Sequence, residues 1–348
     1  MPKIVSAATA VPPYAVTQDS AVQFARQLFA ARIDDFDRLL PVFANAGIKQ
    51  RYLSRPLEWL AQPRTLAEKN AVYIESATTL SASAAVKAME RGGVAPNDID
   101  AIIYINTTGI ATPSIDARLA NVIEFRRDIR RIPVWGLGCA GGVAGVAIAN
   151  SILLGRPNAT VLLIATELCG LTFIPEDTSK SNIVACALFG EGSAAVVIRG
   201  DDTGSRGVSI VDTQSVLYPD SLDVMGWNMV SQGLQVVFAQ RIPDIVEQNS
   251  ARDIGAFLDR NGLPLSEIDH LLFHPGGTKV LAAYKRALGL EGDRLAISES
   301  ILRDYGNMSS ATVLFVLERF LEGNPQGGHA LMSALGPGFS SESVLLRL

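Results

Sequence analysis

Three polar residues sit where an element begins or ends, and their types together suit acyl transfer. Cys139 lies in Gly138-Cys139-Ala140-Gly141, just before a long uncharged helical stretch. A thiol at a helix N-terminus meets the positive end of the dipole and unpaired N–H groups. Both favour the thiolate, the form that attacks an acyl carbon. Taken alone, Cys139 reads as an inert buried cysteine, the commonest fate of a free thiol. His274 closes the apolar run His270–His274 and precedes Pro275-Gly276-Gly277, where proline stiffens the turn and two glycines open it. Sites in α/β sheets lie beyond such strand ends, and an imidazole both partners a thiolate and donates to an oxyanion. Asn307, in Gly306-Asn307-Met308-Ser309 before another apolar helix, is a second donor. A thiolate can hold one acyl group while two donors stabilise an enolate oxygen on a second thioester. No carboxylate base is needed if that enolate arises by decarboxylation.

Other chemistries fit less well. Gly136-x-Gly138-x-x-Gly141 matches a dinucleotide-binding fingerprint and would make the chain an NAD-dependent dehydrogenase. It lies in mid-chain, a cysteine occupies its turn, and no acidic residue ends a strand about twenty residues later. His270 and His274 are too far apart on a strand, about 13 Å, to share a metal ion. His329 lies in a glycine-rich turn and reads as a surface residue. The expected metal and cofactor content is none.

The elements that position these residues follow from composition and periodicity. The 348 residues are 48% apolar and only 19% charged, which excludes disorder and implies a large core. A net charge of −5 without any basic run argues against nucleic acid or an anionic membrane as partner. Three cysteines fit neither a disulfide framework nor a zinc site, so reduced thiols in the cytoplasm are expected. Residues 1–16 read as a first strand and turn ending at Pro12-Pro13, not a signal peptide. Residues 132–155 carry Pro133 and six glycines and read as a buried helix, not a membrane span. Strands are expected at 101–106, 160–166, 194–198, 270–274 and 343–347. Helices are expected at 19–30, 65–91, 141–154, 242–261, 278–288 and 309–321. The alternation argues α/β.

An internal repeat organises the whole. Ser81-Ala82 opens a helix that leads through Arg91, Gly93 and Ile99-Asp100 into an apolar strand. Ser250-Ala251 opens another that leads through Arg260, Gly262 and Ile268-Asp269, at an offset of 169. Cys139 and Asn307 differ by 168, so both are expected in equivalent turns of two duplicated halves facing one centre. The glycine-rich stretch 200–207 marks the boundary, giving halves 1–203, with the nucleophile, and 204–348, with His274 and Asn307.

On these residues the sequence resembles the type III polyketide synthases, the chalcone synthase-like branch of the thiolase superfamily. Leu137–Gly142, Ala187–Gly192, His274–Gly277, Tyr305–Ser310 and Leu335–Phe339 carry the resemblance in family order. It implies a five-layered αβαβα thiolase fold, a homodimer, acyl-CoA and malonyl-CoA substrates, and Cys139, His274 and Asn307 as the catalytic set. It implies that Phe189, otherwise simply a core residue, is a gatekeeper, and that Gly276, Gly277, Gly336, Pro337 and Gly338 frame the substrate. Where plant-type members carry a second gatekeeper phenylalanine, this chain has Val236; Cys169 and Thr172 make a small cavity wall. These departures resemble bacterial synthases of alkylpyrones and alkylresorcinols from long acyl starters. Thr112 stands where the plant-type family places a methionine that reaches into the partner subunit. Lys49, Arg51 and Arg55 are a basic cluster where the family grips coenzyme A phosphates, or simply a solvated face. A ketoacyl synthase III-like enzyme shares Cys, His and Asn, but its histidine is usually followed by Gln-Ala-Asn.

Overall fold

The computed structural model describes residues 1–348. Its strands are β1 (Lys3–Ala10), β2 (Tyr14–Thr17), β3 (Gln50–Leu53), β4 (Ala101–Asn106), β5 (Arg130–Trp135), β6 (Thr160–Leu168), β7 (Glu191–Arg199), β8 (Val208–Leu217), β9 (Met225–Val230), β10 (Gly233–Phe238), β11 (His270–Phe273), β12 (His329–Gly336) and β13 (Ser340–Arg347). The helices of nine residues or more are α1 (Gln18–Phe29), α2 (Leu66–Gly92), α3 (Gly141–Gly155), α4 (Lys180–Leu188), α5 (Ile242–Arg260), α6 (Thr278–Ala287), α7 (Ala296–Tyr305) and α8 (Thr312–Glu322).

Nine strands join in the order β5-β4-β6-β7-β1-β8-β13-β12-β11. The seam between halves is thin: β1 meets β8 only at Lys3↔Ser209 and Ile4↔Val208. Side-chain alternation along the strands then sets the layers. In β4, Ile102 and Tyr104 face a core built with α1 and α2, while Ala101, Ile103 and Ile105 face α3 and α8. In β12, Ala330, Met332 and Ala334 face that same α3–α8 layer, while Leu331 and Leu335 face α5 and α6. The result is helix, sheet, helix, sheet, helix, with α3 and α8 sheathed on both sides. This five-layered αβαβα arrangement is the expected thiolase fold.

Local chemistry explains the element ends. Thr65 accepts from Glu68 N–H and Glu68 accepts from Thr65 N–H, a capping box that starts α2; Gly93, at φ 60°, ends it. The stretch Gly138–Gly155 has a mean hydropathy of 1.6 and is long and apolar enough to cross a membrane. The two halves of the main sheet that cover it account for that apolarity.

The repeat is visible in the elements, with one correction. One-turn 3-10 helices at Pro96–Asp98 and Leu265–Glu267 keep the 169 offset. The turns before α3 and α8 do not keep 168. Cys139 lies in a 3-10 turn, Gly138–Ala140, and its counterpart is Ser309–Ala311, an offset of 171. Gly138 at φ 49° and Ser309 at φ 47° share the left-handed conformation. The positional equivalent of Cys139 is therefore Ser310, and Asn307 sits three residues upstream of it. The helix expected at 309–321 accordingly begins with this turn, and α8 proper starts at Thr312.

Candidate active site

Cys139, His274 and Asn307 line one cavity of about 380 Å³ together with Gly276 and Gly277. Three different parts of the fold deliver them. Cys139 sits on the 3-10 turn that leads into α3. His274 follows β11, its N–H donating to Ser333 of the neighbouring β12 at 2.8 Å. Asn307 is held by a strand-like link to the other half. Its N–H donates to Leu188 at 2.8 Å, and Gly190 N–H donates back to its carbonyl at 2.9 Å. Phe189 lies within that link, so the same backbone pairing fixes it beside Asn307.

The side-chain hydrogen bonds show which atoms are engaged and which are free. Asn307 Oδ1 accepts from Ser309 N–H at 2.8 Å, and Nδ2 donates to Gly276 O at 3.1 Å. Only one orientation of the amide satisfies both bonds, so the NH₂ group has one hydrogen spent and one left for a ligand. Neither His274 ring nitrogen has a partner, although the residue is only 4% exposed. A buried polar group without a partner is costly, so an imidazole facing a cavity this way is poised for a ligand atom.

Burial dominates the electrostatics. It pushes the Cys139 thiol up to about 12, against the hydrogen bond with Ser309 Oγ at 3.6 Å, and pushes the His274 imidazole down to about 3. Both shifts have the same physical cause, the removal of the side chains from water. Cys139 is one 3-10 turn away from the α3 N-terminus, so desolvation opposes the helix-terminus effect expected there.

Gly336 and Pro337 brace this centre from beneath and are absent from the cavity lining. A Cβ on Gly336 would lie 2.4 Å from Leu137 O, and one on Gly138 would lie 2.4 Å from Pro337 Cδ. Gly338, at φ 86°, completes the turn. They shape the turn that holds Cys139. The same packing disposes of the dinucleotide reading. A Cβ on Gly141 would meet Ile105 at 2.5 Å and Ser310 at 3.0 Å, so protein fills the space a pyrophosphate would need.

Cys169, Thr172 and Phe189 line a separate apolar pocket of about 40 Å³. Val236 is buried with Cys169, Ala185 and Phe189. The Phe189 ring also meets Trp227 at 5.9 Å and Phe238 at 5.6 Å, and Phe238 in turn lines the Cys139 cavity. An aromatic partition thus divides the two spaces. Thr112 is exposed on the loop before β5.

Arg51 and Arg55 are engaged within the protein and are not free to grip a phosphate. Arg51 is 2% exposed and donates to the carbonyls of Cys186 at 2.8 Å, Ala187 at 3.0 Å and Phe189 at 3.3 Å, and to Gln18. It satisfies the C-terminal carbonyls of α4, and burial lowers its pKa to about 10. Arg55 pairs with Glu75 at 2.6 Å, and Lys49 is exposed outside the cavity. Sequence reasoning missed Glu167. This buried carboxylate accepts from Thr107 N–H, Thr107 Oγ1, Thr108 Oγ1 and Ser310 Oγ at 2.6–3.0 Å, tying the turn after Asn307 to the other half. The signal was present as an acidic residue at the end of an otherwise uncharged strand.

The family model for chalcone and stilbene synthases, N-terminal domain, matches residues 3–202, and its C-terminal counterpart matches 209–348. A Bacillus subtilis protein named "Putative chalcone synthase" is 41% identical, with 98% of this chain and 97% of that protein covered. The 1,3,6,8-tetrahydroxynaphthalene synthase of Streptomyces peucetius is 39% identical over 97% and 91% of the two chains. The crystal structure of the synthase of that name from Streptomyces coelicolor, described as a bacterial type III polyketide synthase, superposes with a TM-score of 0.95. It is 28% identical and covers 99% of each chain.

Proposed function

The chain belongs to the chalcone and stilbene synthase family and is a type III polyketide synthase, and we propose that it loads a fatty acyl group from coenzyme A on Cys139, extends it with malonyl-CoA and closes the chain to an alkylpyrone or alkylresorcinol. In this scheme Cys139 gives its proton to His274, attacks the acyl-CoA carbonyl and expels coenzyme A. Malonyl-CoA then enters the same cavity. Its thioester oxygen takes hydrogen bonds from His274 and the free Asn307 Nδ2 hydrogen, and these stabilise the enolate left when CO₂ departs. The enolate carbon attacks the acyl-Cys139 carbonyl; a carbon–carbon bond forms and the carbon–sulfur bond breaks, restoring the thiolate.

The observation that carries this reading is the convergence in one cavity of the Cys139 thiol, the Asn307 amide and a buried imidazole neither of whose nitrogens is partnered. The long-chain starter is supported by Val236 and Cys169, small residues packed on Phe189 where a ring could stand, and by the apolar pocket behind it. A second reading, malonyl-CoA as its own starter, is supported by the names of the Streptomyces relatives and by the small size of that pocket. Product mass analysis with malonyl-CoA and acetyl-, octanoyl-, palmitoyl- or coumaroyl-CoA separates the two. Alkyl products from the octanoyl and palmitoyl starters support the first, and a tetrahydroxynaphthalene-type product from malonyl-CoA alone supports the second.

A homodimer is part of the proposal. It is supported by β5, an unpaired sheet edge, and by exposed Trp135, Ile110 and Met229 around a hollow of about 320 Å³ beside the Thr112 loop. We likewise place the division of the halves at 203/204 and the enzyme in a reducing cytoplasm, the latter supported by three unpaired cysteines.

A further inference from the structure

One small piece of the fold stands between the two cavities and belongs to neither half of the main sheet. Strands β9 and β10 pair only with each other. Trp227 of β9 and Phe238 of β10 meet the Phe189 ring at 5.9 Å and 5.6 Å, and Val236 is buried against it. Met225 and Phe238 also line the Cys139 cavity. The placement of this hairpin therefore sets the width of the passage beside Phe189. Hydrogen bonds from the rest of the chain reach it at three places. Leu66 N–H donates to Ser231 O at 3.3 Å, Gln235 Nε2 donates to the half-buried Asp177 carboxylate at 3.0 Å, and Lys69 Nζ donates to Gln232 O at 2.9 Å.

Lys69 is the chain's one buried lysine, 4% exposed in the first turn of α2. Lysines are almost never buried unless paired, and a cation in a first turn opposes the helix dipole. Lys69 bonds no carboxylate, and burial lowers its pKa to about 8. Its ammonium is spent instead on two backbone carbonyls, Gln232 O and, at 2.7 Å, Phe173 O. Phe173 ends the 3-10 turn Cys169–Thr172. Its ring packs at 5.5 Å on Phe24 and 6.1 Å on Phe29, so that end of the bridge is anchored in the core. Cys169, Gly170 and Thr172 of the same turn line the apolar pocket. The other end is the hairpin tip. There Gly233, at φ 147°, leaves room for the ammonium; a Cβ on it would lie 3.3 Å from Nζ. One ammonium thus bridges the wall of the apolar pocket and a hairpin that has no place in the main sheet. An apolar side chain could fill the same space, but only directional bonds fix the register of the two segments.

We propose that Lys69 is a positioning residue for starter selection: by tying the tip of the β9–β10 hairpin to the Cys169–Thr172 turn, it fixes the width of the passage beside Phe189. The assignment rests on the polyketide synthase reading for what moves through that passage. Lys69 lies outside the lining of the Cys139 cavity, so its effect on the reaction runs through Trp227, Val236 and Phe238. Loss of the bridge leaves two carbonyls without this donor. It leaves the hairpin with two links to the rest of the chain, one of them the 3.3 Å bond from Leu66. A wall loosened in this way discriminates less between acyl chains.

The test compares the parent with K69M, which keeps the length of the side chain and removes both hydrogen bonds, and with K69R, whose guanidinium can donate to both carbonyls. Hydrogen exchange followed by mass spectrometry reads the hairpin. Steady-state kinetics with malonyl-CoA as extender reads acetyl-, octanoyl- and palmitoyl-CoA, and malonyl-CoA as its own starter. In K69M the amides of residues 225–238 should exchange about tenfold faster or more, the worth of one hydrogen bond to a charged group, while β4 and β6 keep the parent's protection. The spread of kcat/KM across the starters should narrow by about fourfold or more, the worth of one buried methylene, chiefly through KM for the starter. K69R should recover both. If K69M fails to fold, G233A presses on the same contact from the hairpin side and should give the same pattern. The proposal is overturned if hairpin exchange is unchanged, if every starter loses equally, or if K69R behaves as K69M. A parent that extends no starter would refute the polyketide reading, and the exchange data would still decide whether Lys69 holds the hairpin.

Discussion

Replacing Asn307 by aspartate isolates one hydrogen. The carboxylate of N307D keeps the shape of the side chain and the acceptor for Ser309 N–H, so the turn before α8 retains its anchor. What disappears is Nδ2: the bond to Gly276 O at 3.1 Å, and the remaining hydrogen that we assign to the enolate oxygen. A carboxylate there would also set negative charge beside a developing anion. Removing one preorganised oxyanion donor costs about 10²–10³ in rate, or roughly 3–4 kcal/mol, and the added charge makes that a lower bound. The assay separates two steps. Malonyl-CoA decarboxylation, followed as acetyl-CoA by chromatography, should fall at least a hundredfold. Loading of the starter on Cys139, followed by intact-protein mass, should remain detectable because it uses Cys139 and His274. In His274→Ala both steps should fail. Decarboxylation by N307D within about tenfold of the parent would refute the assignment of the free Nδ2 hydrogen, as would equal loss of loading and decarboxylation.

Gly336→Ala forces a methyl group to within 2.4 Å of Leu137 O and 2.6 Å of Ala140 Cβ, so it should lower stability by about 1–3 kcal/mol and slow alkylation of Cys139; denaturant melts and iodoacetamide kinetics check both. Glu191 is buried, accepts from Ser54 N–H, and has its pKa raised to about 7 by desolvation. Its native state binds the proton more tightly than the unfolded chain, so stability falls as pH rises from about 4.5 to 7 and then levels, a change of about 3 kcal/mol; E191Q should flatten that slope in melts from pH 5 to 8. Val236→Phe adds a ring to the cluster around Phe189 and should reduce kcat/KM selectively for long starters, since each buried methylene is worth about 0.8 kcal/mol, or roughly fourfold; equal loss for acetyl- and palmitoyl-CoA would count against an alkyl channel there.

Those parts of the molecule governed by local rules were legible beforehand. The capping box at Thr65 and Glu68 marks α2 in the sequence, and the apolar runs of β4, β6 and β11 mark buried strands. Cys139, His274 and Asn307 were found because each ends an element in a way that needs chemistry to explain it. β5 escaped because its sequence, Arg130-Arg131-Ile132-Pro133-Val134-Trp135, opens on two arginines and contains proline, as befits an edge paired on one side only. The hairpin of β9 and β10 escaped because neither strand belongs to the main sheet. Arg51 was misread because charge suggests surface; only the fold shows three carbonyls of one helix end turned toward it. The slip between the repeats, from an offset of 169 to one of 171, ends in two 3-10 turns that no helical periodicity reports.

The central layer sets an order of events during synthesis. α3 is finished well before α8 is made, yet α8 and the strands around it cover one of its faces. Until the last fifth of the chain has left the ribosome, that glycine- and valine-rich face has nothing native to rest on. The earlier half therefore cannot mature as an independent unit and needs shelter from aggregation while it waits. The segment that closes the core also carries Asn307, so burial of that face and completion of the Cys139 cavity go together.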